Sequence, residues 1–277
     1  SGVGGTWYWN RYPGARCDVE SMQYSYQFSP ELEQEWEWSE RYSPQPEILN
    51  YANHVADRFD LRADIQFDTS VERAIFDEGS SCWNLTTSDG ETCSARYCVM
   101  ATGCLSSTNL PDFEGLDSFK GDKYHTGQWP HEGVDFTGKR VAVIGTGSSA
   151  IQSIPHIAEQ AEHLTVFQRT PNYTIPAHNR AMDQAYAAKV KAESPAMRAR
   201  AKTMPPGMDI TPNMQPALEA TAEERQAQYE AKWAEGGIPF MGAFGDLMLN
   251  DEANNTAAAF VRGKIRETVE DPAIAEL

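Results

Sequence analysis

The sequence is poor in positive charge and has no long apolar run. It carries 23 Lys and Arg residues against 40 Asp and Glu, a formal net charge of −17. Nucleic acids and anionic membranes are bound through clustered Lys and Arg, so this balance argues against both kinds of partner. No apolar stretch approaches the roughly 20 residues of a transmembrane helix, and no basic segment leads into an apolar one. We therefore expect no membrane partner and a cytoplasmic location.

Cysteine patterns typical of metal sites and disulfide frameworks are also missing. The five cysteines include no C-x-x-C pair and no histidine at zinc-finger spacing. We expect reduced thiols and no metal site, in line with a cytoplasmic enzyme. At 277 residues with 40% hydrophobic residues, the chain is long enough for one large domain or two ordinary ones.

The first hundred residues change from a helical to a strand pattern. Residues 31–59 have apolar positions at helical spacing, with Ser29 as an N-cap and Pro30 in the first turn. Residues 65–100 alternate apolar and polar positions around a turn at "SDGE", which predicts a meander of short strands. The apolar run "YCVMATG" at 97–103 predicts a buried strand that ends in a glycine turn.

The last third of the chain is helical and charged. This pattern begins near Ala181, and Thr221 with Glu224 predicts a capping box. Residues 203–216 are too rich in Pro and Met for a regular element. We expect either a cover over a site or a surface loop there.

A dinucleotide-binding turn is the strongest local signal. "RVAVIGTGSSA" places Gly145, Gly147 and Ala150 in a G-x-G-x-x-A pattern between a β-branched strand and a helix. The first glycine permits the tight turn, and the second lets the backbone approach a pyrophosphate. Alanine lets helix and strand pack closely, and the helix N-terminus offers N–H donors to the anion. The alternative is an ordinary strand-to-helix turn.

The strand after this turn ends in a basic residue. NAD-binding folds usually place an acid there for the ribose hydroxyls. This chain has Arg169 instead, 24 positions after Gly145 (169 − 145), followed by Thr170. A guanidinium matches a 2′-phosphate in charge and bidentate geometry, so the sequence predicts NADP(H) rather than NAD(H). The alternative is a surface cation.

Two further motifs carry a resemblance to a known family. The opening "GGTWYWNRYPGARCDVES" is rich in aromatics and glycines, and its part "NRYPGARCD" is neither alternating nor helical. The segment "FKGDKYHTGQWP" has Phe119, Gly121, His125, Trp129 and Pro130 in an F-x-G-x-x-x-H-x-x-x-W-P pattern. Both resemble segments of the Baeyer–Villiger monooxygenases, which depend on FAD and NADPH. "YCVMATG" resembles that family's strand returning to the flavin, and "VFQRTP" its NADP-phosphate strand.

The resemblance implies an α/β fold with two dinucleotide-binding, Rossmann-like domains, both incomplete in this chain, and an α-helical insertion. Residues 1–130 match an FAD-binding domain without its first strand–GxGxxG–helix unit. Residues 131–277 match an NADP-binding domain that carries the insertion and lacks its C-terminal remainder. We therefore expect an internal fragment of a longer protein and expect the isolated chain to be inactive.

The implied activity is oxygen insertion beside a ketone carbonyl, using FAD, NADPH and O2 and giving an ester or lactone. Two alternatives stay open. One is a flavin monooxygenase that oxidises sulfur or nitrogen, with a sulfide in place of the ketone. The other is a non-catalytic NADP-binding remnant.

The resemblance also assigns site residues. Those on the flavin side are Thr6, Trp7, Trp9, Asp18, Tyr24, Val71 and Gly103. Those on the NADP side are Arg16, Asp18, Gly145, Thr146, Gly147, Ser148, Ser149, Ala150, Gln152, Arg169 and Thr170. The candidate catalytic residues are Asp18 and His125. Asp18 matches an aspartate that positions and tunes a catalytic arginine lying outside this chain. We expect His125 to couple the two nucleotide domains through hydrogen bonds, with direct proton transfer as the alternative.

Overall fold

Helices and strands are mixed along the chain in an α/β arrangement, as predicted. The structure is a computed structural model that describes residues 2–105, 107–170, 172–204, 207–209 and 213–276. In this part of the chain the α-helices are α1 (Thr6–Trp9), α2 (Ser21–Tyr24), α3 (Pro30–Glu35), α4 (Gln45–Arg58), α5 (Ser148–Ala158), α6 (Gln184–Ala201), α7 (Ala222–Glu235), α8 (Asp251–Thr268) and α9 (Pro272–Ala275). The strands are β1 (Val71–Asp77), β2 (Cys82–Thr87), β3 (Thr92–Ala95), β4 (Arg140–Ile144) and β5 (His163–Phe167). Within these described residues, no helix has the length and apolar character needed to cross a membrane.

The chain divides into two compact units, each discontinuous in sequence. Unit 1 consists of Ser1–Ala15, Gln45–Val141 and Ser149–Leu164, and unit 2 of Arg16–Pro44, Ala142–Ser148 and Thr165–Leu277. These compact units divide the chain at positions other than residue 130, where the resemblance places the boundary between the two cofactor domains.

Unit 1 contains the predicted helix and the predicted meander. Helix α4 buries Ile48, Tyr51 and Val55, the apolar stripe expected from their 3–4 residue spacing. Strands β1, β2 and β3 form an antiparallel sheet in which Asp77 pairs with Cys82 and Thr86 with Thr92. The turn at "SDGE" joins β2 to β3, which confirms the predicted meander.

The predicted buried strand at 97–103 is wrong. These residues form no strand, and Tyr97 and Val99 are 82% and 88% exposed. A buried strand needs hydrogen-bonded neighbours on both sides. Among the described residues the two sheets contain β1–β3 and β4–β5, and neither provides a neighbour for this segment. The apolar run therefore lacks the ladder that would bury it.

Helix α3 of unit 2 begins as predicted and ends early. The Ser29 side chain accepts a hydrogen bond from the Leu32 N–H at 3.2 Å, which confirms the N-cap. The helix stops at Glu35 because Trp36 has extended dihedral angles. Trp38 then packs edge-on against Trp36 and donates its indole N–H to the Ser25 hydroxyl at 2.9 Å. The helical turns predicted directly after Glu35 are therefore absent, and the two tryptophan rings make these contacts instead.

The helical insertion of unit 2 has its own apolar core. Helix α7 begins at the predicted capping box, in which Thr221 and Glu224 bond to each other's backbone N–H. Tyr229 of α7 lies 5.4 Å from Phe260 of α8, ring centre to ring centre, and both are buried. Residues 203, 204, 207–209 and 213–216 form no helix or strand, whereas 205, 206 and 210–212 lie outside the described residues.

The predicted strand–glycine turn–helix–strand order is present as β4, residues 145–147, α5 and β5. The Glu162 N–H donates to the Lys139 carbonyl at one end of the strand pair, and the Gly145 N–H donates to the Phe167 carbonyl at the other. Both strands therefore run in the same direction. A helix between two parallel strands is the crossover typical of dinucleotide-binding folds.

Candidate functional site

The glycine turn has an open face toward a ligand. Gly145 adopts a φ of 105°, a conformation that L side chains rarely adopt. A Cβ built on Gly145 or Gly147 would meet no heavy atom within 4 Å, so both backbones border open space. Helix α5 begins directly afterwards at Ser148, and the first N–H groups of a helix have no partner within it. The arrangement suits an anion such as a pyrophosphate.

The end of β5 lies beside this turn. The Gly145 N–H donates to the Phe167 carbonyl at 2.8 Å, and the Thr146 hydroxyl is 3.3 Å from Gln168 Oε1. Arg169 and Thr170 follow immediately, and both are exposed. Among the described residues Arg169 has no carboxylate within ion-pair distance. The structure therefore brings two predicted NADP elements together and leaves the guanidinium accessible to an anion.

Three more NADP-side candidates lie on α5. Ser149 and Ala150 occupy its first turn, where their carbonyls accept hydrogen bonds from the Ser153 hydroxyl at 2.9 and 3.2 Å. Gln152 lies in the second turn, and its side-chain oxygen accepts a bond from the Tyr12 hydroxyl at 2.9 Å. Gln152 therefore connects this helix to the opening segment.

The opening segment packs closely on α5. Gly14 has a φ of 78°, and a Cβ built on it would lie 2.3 Å from the Gln152 carbonyl oxygen and 2.4 Å from the His156 ring. Glycine is therefore needed at this position for both its backbone conformation and its lack of a side chain. The unusual composition of the opening is explained in part by this close approach.

Gly14→Ala is expected to destabilise the protein strongly, because the new methyl group overlaps a backbone oxygen that cannot rotate away. Gly133→Ala is the matched control, since Gly133 has a similar φ of 80° and open space around its Cβ. We expect Gly14→Ala to lower the free energy of unfolding by about 3 kcal/mol. Gly133→Ala should lower it by about 1 kcal/mol, the cost of the backbone strain alone. Urea titration measures both, and equal losses would contradict the close packing.

The aromatic residues of the opening form a small ring cluster in unit 1. Helix α1 is held by Gln45, whose side-chain N–H donates to the Trp7 carbonyl at 2.5 Å. The Tyr8 ring meets the His131 ring edge-on at 5.1 Å, and Trp9 lies 6.3 Å from the same histidine. Trp9 remains partly exposed, which leaves a flat apolar surface beside Thr6 and Trp7.

The other flavin-side candidates are distributed over both units. Val71 and Gly103 belong to unit 1, are exposed, and Gly103 has a φ of 69°. Asp18 and Tyr24 belong to unit 2 and are exposed as well. The side chains of Asp18, Tyr24 and Val71 and the backbone of Gly103 are therefore accessible to a ligand.

Residues 16, 17 and 18 differ in burial and in their partners. Arg16 Nη1 lies 3.1 Å from Glu40 Oε2, so this cation has a carboxylate partner. Burial raises the pKa of Cys17 to about 12, against a smaller lowering by the Val19 N–H. Cys17 is thus a neutral thiol at physiological pH and not a nucleophile. Asp18, the next residue, is exposed.

His125 caps a short turn. Its Nδ1 accepts a hydrogen bond from the Gly127 N–H at 3.0 Å, at the start of the 3₁₀ turn Thr126–Gln128. With the Nδ1 lone pair engaged, a neutral ring carries its proton on Nε2 and acts there as a donor. Taking up a proton at Nδ1 would break the cap. The Nδ1 lone pair is therefore used within the turn, and the ring offers Nε2–H as a donor.

His125→Ala is expected to lower the free energy of unfolding by about 1 kcal/mol through loss of this cap. His125→Asn supplies an oxygen acceptor at a similar distance along the side chain and is expected to retain most of the stability. Chemical denaturation of the two variants measures the difference. If His125→Asn lowers the free energy of unfolding as much as His125→Ala does, His125 does not stabilise the protein through this cap.

One fingerprint residue, Trp129, belongs to an aromatic cluster beside this turn. Trp129 is buried and lies 5.7 Å from the Tyr124 ring and 6.1 Å from the buried Phe136. A Cβ on Gly121 would come within 2.7 Å of the Phe119 ring. Trp129 is therefore held by aromatic packing, and Gly121 leaves room for the Phe119 ring.

Several residues with contacts to the site were missed by sequence reasoning. Tyr12 and Gly14 lay within the opening motif, and their aromatic and glycine character was an available signal. His131 and Gln45 lie outside the quoted motifs. Glu40 and its neighbour Asn179 gave no local signal, because their pairing joins segments 139 residues apart. Within the described residues, no three His, Cys, Asp or Glu side chains are grouped so that they could hold a metal ion.

The β4–α5–β5 crossover and its open glycine turn are typical of dinucleotide-binding proteins. The model of the flavin-binding monooxygenase-like family matches residues 35–274, and the chain belongs to that family. Its resemblance to Baeyer–Villiger monooxygenases is confirmed. A Baeyer–Villiger monooxygenase of Pseudooceanicola batsensis is 47% identical over the whole chain, which covers 51% of that protein.

Two other similar proteins extend this result. The phenazine N-monooxygenase PhzNO1 of Lysobacter antibioticus is 44% identical over 98% of this chain, which covers 50% of that protein. A solved structure of an oxidised steroid monooxygenase bound to NADP is 59% identical, with a TM-score of 0.94 over all of this chain and 53% of the other. The chain thus spans about half the length of the relatives it matches.

Proposed function

We propose that the protein carrying this chain is an FAD- and NADPH-dependent monooxygenase that inserts one atom of O2 beside a ketone carbonyl and releases an ester or lactone. The observation that carries the proposal is the open glycine turn joined to the exposed Arg169, in a chain that also has the complete fingerprint from Phe119 to Pro130. We further propose a cytoplasmic location, which the five free thiols favour.

The NADP(H) assignment rests on groups that fit a dinucleotide. Gly145, Thr146, Gly147 and Ser148 would hold the pyrophosphate at the start of α5, where backbone and helix N-terminus are open. Arg169 and Thr170 would hold the 2′-phosphate and ribose. Together these groups supply donors and positive charge, and among the described residues no carboxylate lies within ion-pair distance of Arg169.

The FAD assignment rests on the family and on the accessible residues of the opening. Flavin reduced by NADPH supplies the activation of O2. Trp7 and Trp9 would pack beside a flat ring, and Thr6, Tyr24, Val71 and Gly103 would meet the rest of the cofactor. Asp18 would orient a cation supplied from outside this chain. His125 would donate from Nε2 and so connect the two nucleotide-binding parts.

We also propose that residues 1–130 and 131–277 belong to an FAD-binding and an NADP-binding domain, both Rossmann-like and both incomplete in this chain. The β4–α5–β5 crossover supports the second domain. The exposed apolar residues at 97–103 support a first domain whose further strands lie elsewhere in the protein.

Nitrogen oxidation is the second candidate function, because one relative is named for N-oxidation of a phenazine. A sulfide substrate has no comparable support from the relatives described above. A non-catalytic NADP-binding remnant would keep the glycine turn and Arg169 and lose the oxygenase activity.

Cofactor content tests the flavoenzyme proposal. The full-length protein encoded by the gene that contains these 277 codons is purified and compared with the isolated chain. We expect stoichiometric FAD and ketone-dependent NADPH oxidation in the full-length protein, and poor FAD binding without oxygenase activity in the isolated chain. A full-length protein without flavin contradicts the function, and tightly held flavin in the isolated chain contradicts its incompleteness.

A further inference from the structure

Four residues of unit 2 form a closed ring of hydrogen bonds around Arg16. Arg16 Nη1 donates to Glu40 Oε2 at 3.1 Å and to the Tyr42 carbonyl at 3.2 Å. The Tyr42 N–H donates to Asn179 Oδ1 at 2.9 Å, and the Asn179 amide donates in turn to the same Glu40 oxygen. Each member of this ring, which we call the Arg16 ring, is therefore held by two others.

The backbone under the Arg16 ring is fixed as well. Arg16 forms a β-bridge with Pro44, and the Cys17 N–H donates to the Ser43 carbonyl at 3.1 Å. Glu40 forms a second β-bridge with Ala181. Flanking residues Ala15 and Cys17 are buried, so the guanidinium projects from a rigid segment.

The Arg16 ring also balances charge. Both the Arg16 and Glu40 side chains are about one third exposed, so their mutual attraction is only partly screened. Their pairing cancels the positive charge that Arg16 would otherwise present. This matters for a nicotinamide cofactor, because the oxidised ring of NADP+ carries a positive charge and the reduced ring of NADPH carries none.

We propose that Glu40, held by Asn179, is a positioning residue that orients Arg16 and cancels its charge, so that the site accepts both NADP+ and NADPH. The inference rests on the proposed function and on the resemblance, which implies that Arg16 lies near the nicotinamide end of NADP. Glu40 acts through Arg16 in this role and touches neither cofactor nor substrate.

Glu40→Gln tests the charge, because it keeps the shape and removes the negative charge. The full-length enzyme has its flavin reduced under argon so that NADPH transfers no hydride, the reductant is removed by anaerobic desalting so that it cannot reduce NADP+, and the enzyme is then titrated with NADP+ and with NADPH. We expect the ratio of Kd for NADP+ to Kd for NADPH to rise about fivefold, the effect of one uncompensated charge in a partly exposed site.

Two further variants separate positioning from charge. Asn179→Ala loosens the Arg16 ring and leaves both charges in place, so we expect both Kd values to rise together and the ratio to stay unchanged. Glu40→Asp restores the carboxylate, and we expect it to return the ratio to within twofold of the wild type. Both results would support the proposal.

The outcomes distinguish this inference from the proposed function. If Glu40→Gln weakens both cofactors equally, or changes neither, Glu40 has no charge-balancing role and the inference is overturned while the NADP site stands. If the wild-type enzyme binds neither cofactor, the NADP site itself is overturned, and the inference with it.

Discussion

Arg169→Ala weakens NADPH binding on the order of 100-fold and leaves NADH binding nearly unchanged. The guanidinium follows β5 directly, is exposed, and has no carboxylate at ion-pair distance among the described residues. A bidentate, charge-assisted contact to a 2′-phosphate is worth about 1.5–3 kcal/mol, which corresponds to roughly 10- to 150-fold in affinity. NADH lacks that phosphate and so has nothing to lose. Calorimetric titration of both nucleotides measures the effect.

Arg96→Ala is the matched control for this prediction. Arg96 is an exposed arginine that follows β3 in unit 1, away from the glycine turn in sequence. Its replacement removes the same charge, so a general electrostatic effect would appear in both variants. Equal losses of NADPH and NADH affinity in Arg169→Ala would show that Arg169 does not recognise the 2′-phosphate.

Arg198→Met lowers the free energy of unfolding by about 3 kcal/mol. Arg198 of α6 bonds Glu33 of α3 at 2.9 Å and the Met22 carbonyl at 3.1 Å, and the two charged side chains are only 14% and 8% exposed. Removing the guanidinium leaves the Glu33 carboxylate buried without its partner, which typically costs about 3–5 kcal/mol. Urea titration followed by tryptophan fluorescence measures the change.

Arg266→Met is the control on an exposed pair. Arg266 and Glu276 are 52% and 60% exposed, so water screens their attraction and we expect almost no change in the free energy of unfolding. The double replacement Arg198→Met with Glu33→Leu should recover most of the loss, because it leaves no unpaired buried charge. A single variant as stable as the wild type would show that Arg198 does not fix the helical insertion to α3.

Local patterns predicted the elements whose signals lie within a few residues. The turn after β4, the caps at Ser29 and Thr221 and the stripe of α4 each depend on neighbouring positions, and all of them are confirmed. The fingerprint around His125 was equally clear, although its role as a cap required coordinates. The chemistry of a helix start or a glycine turn is set by sequence neighbours.

The remaining features depend on contacts between distant segments. The apolar run at 97–103 reads as a buried strand, yet a strand forms only where a neighbouring strand completes its ladder. Helix α3 ends early, and Trp38 beyond it bonds to Ser25 in an earlier segment. The pairing of Glu40 with Asn179 joins segments with no shared motif. No single-sequence pattern reports such tertiary contacts.

Labelled oxygen tests most directly whether the enzyme inserts one atom of O2 beside a ketone carbonyl. The full-length enzyme is incubated with NADPH, 18O2, cyclohexanone and an aromatic N-heterocycle, and the products are analysed by mass spectrometry. We expect a lactone that contains one 18O atom and forms only with NADPH. An N-oxide as the sole labelled product, or no labelled product at all, would contradict it.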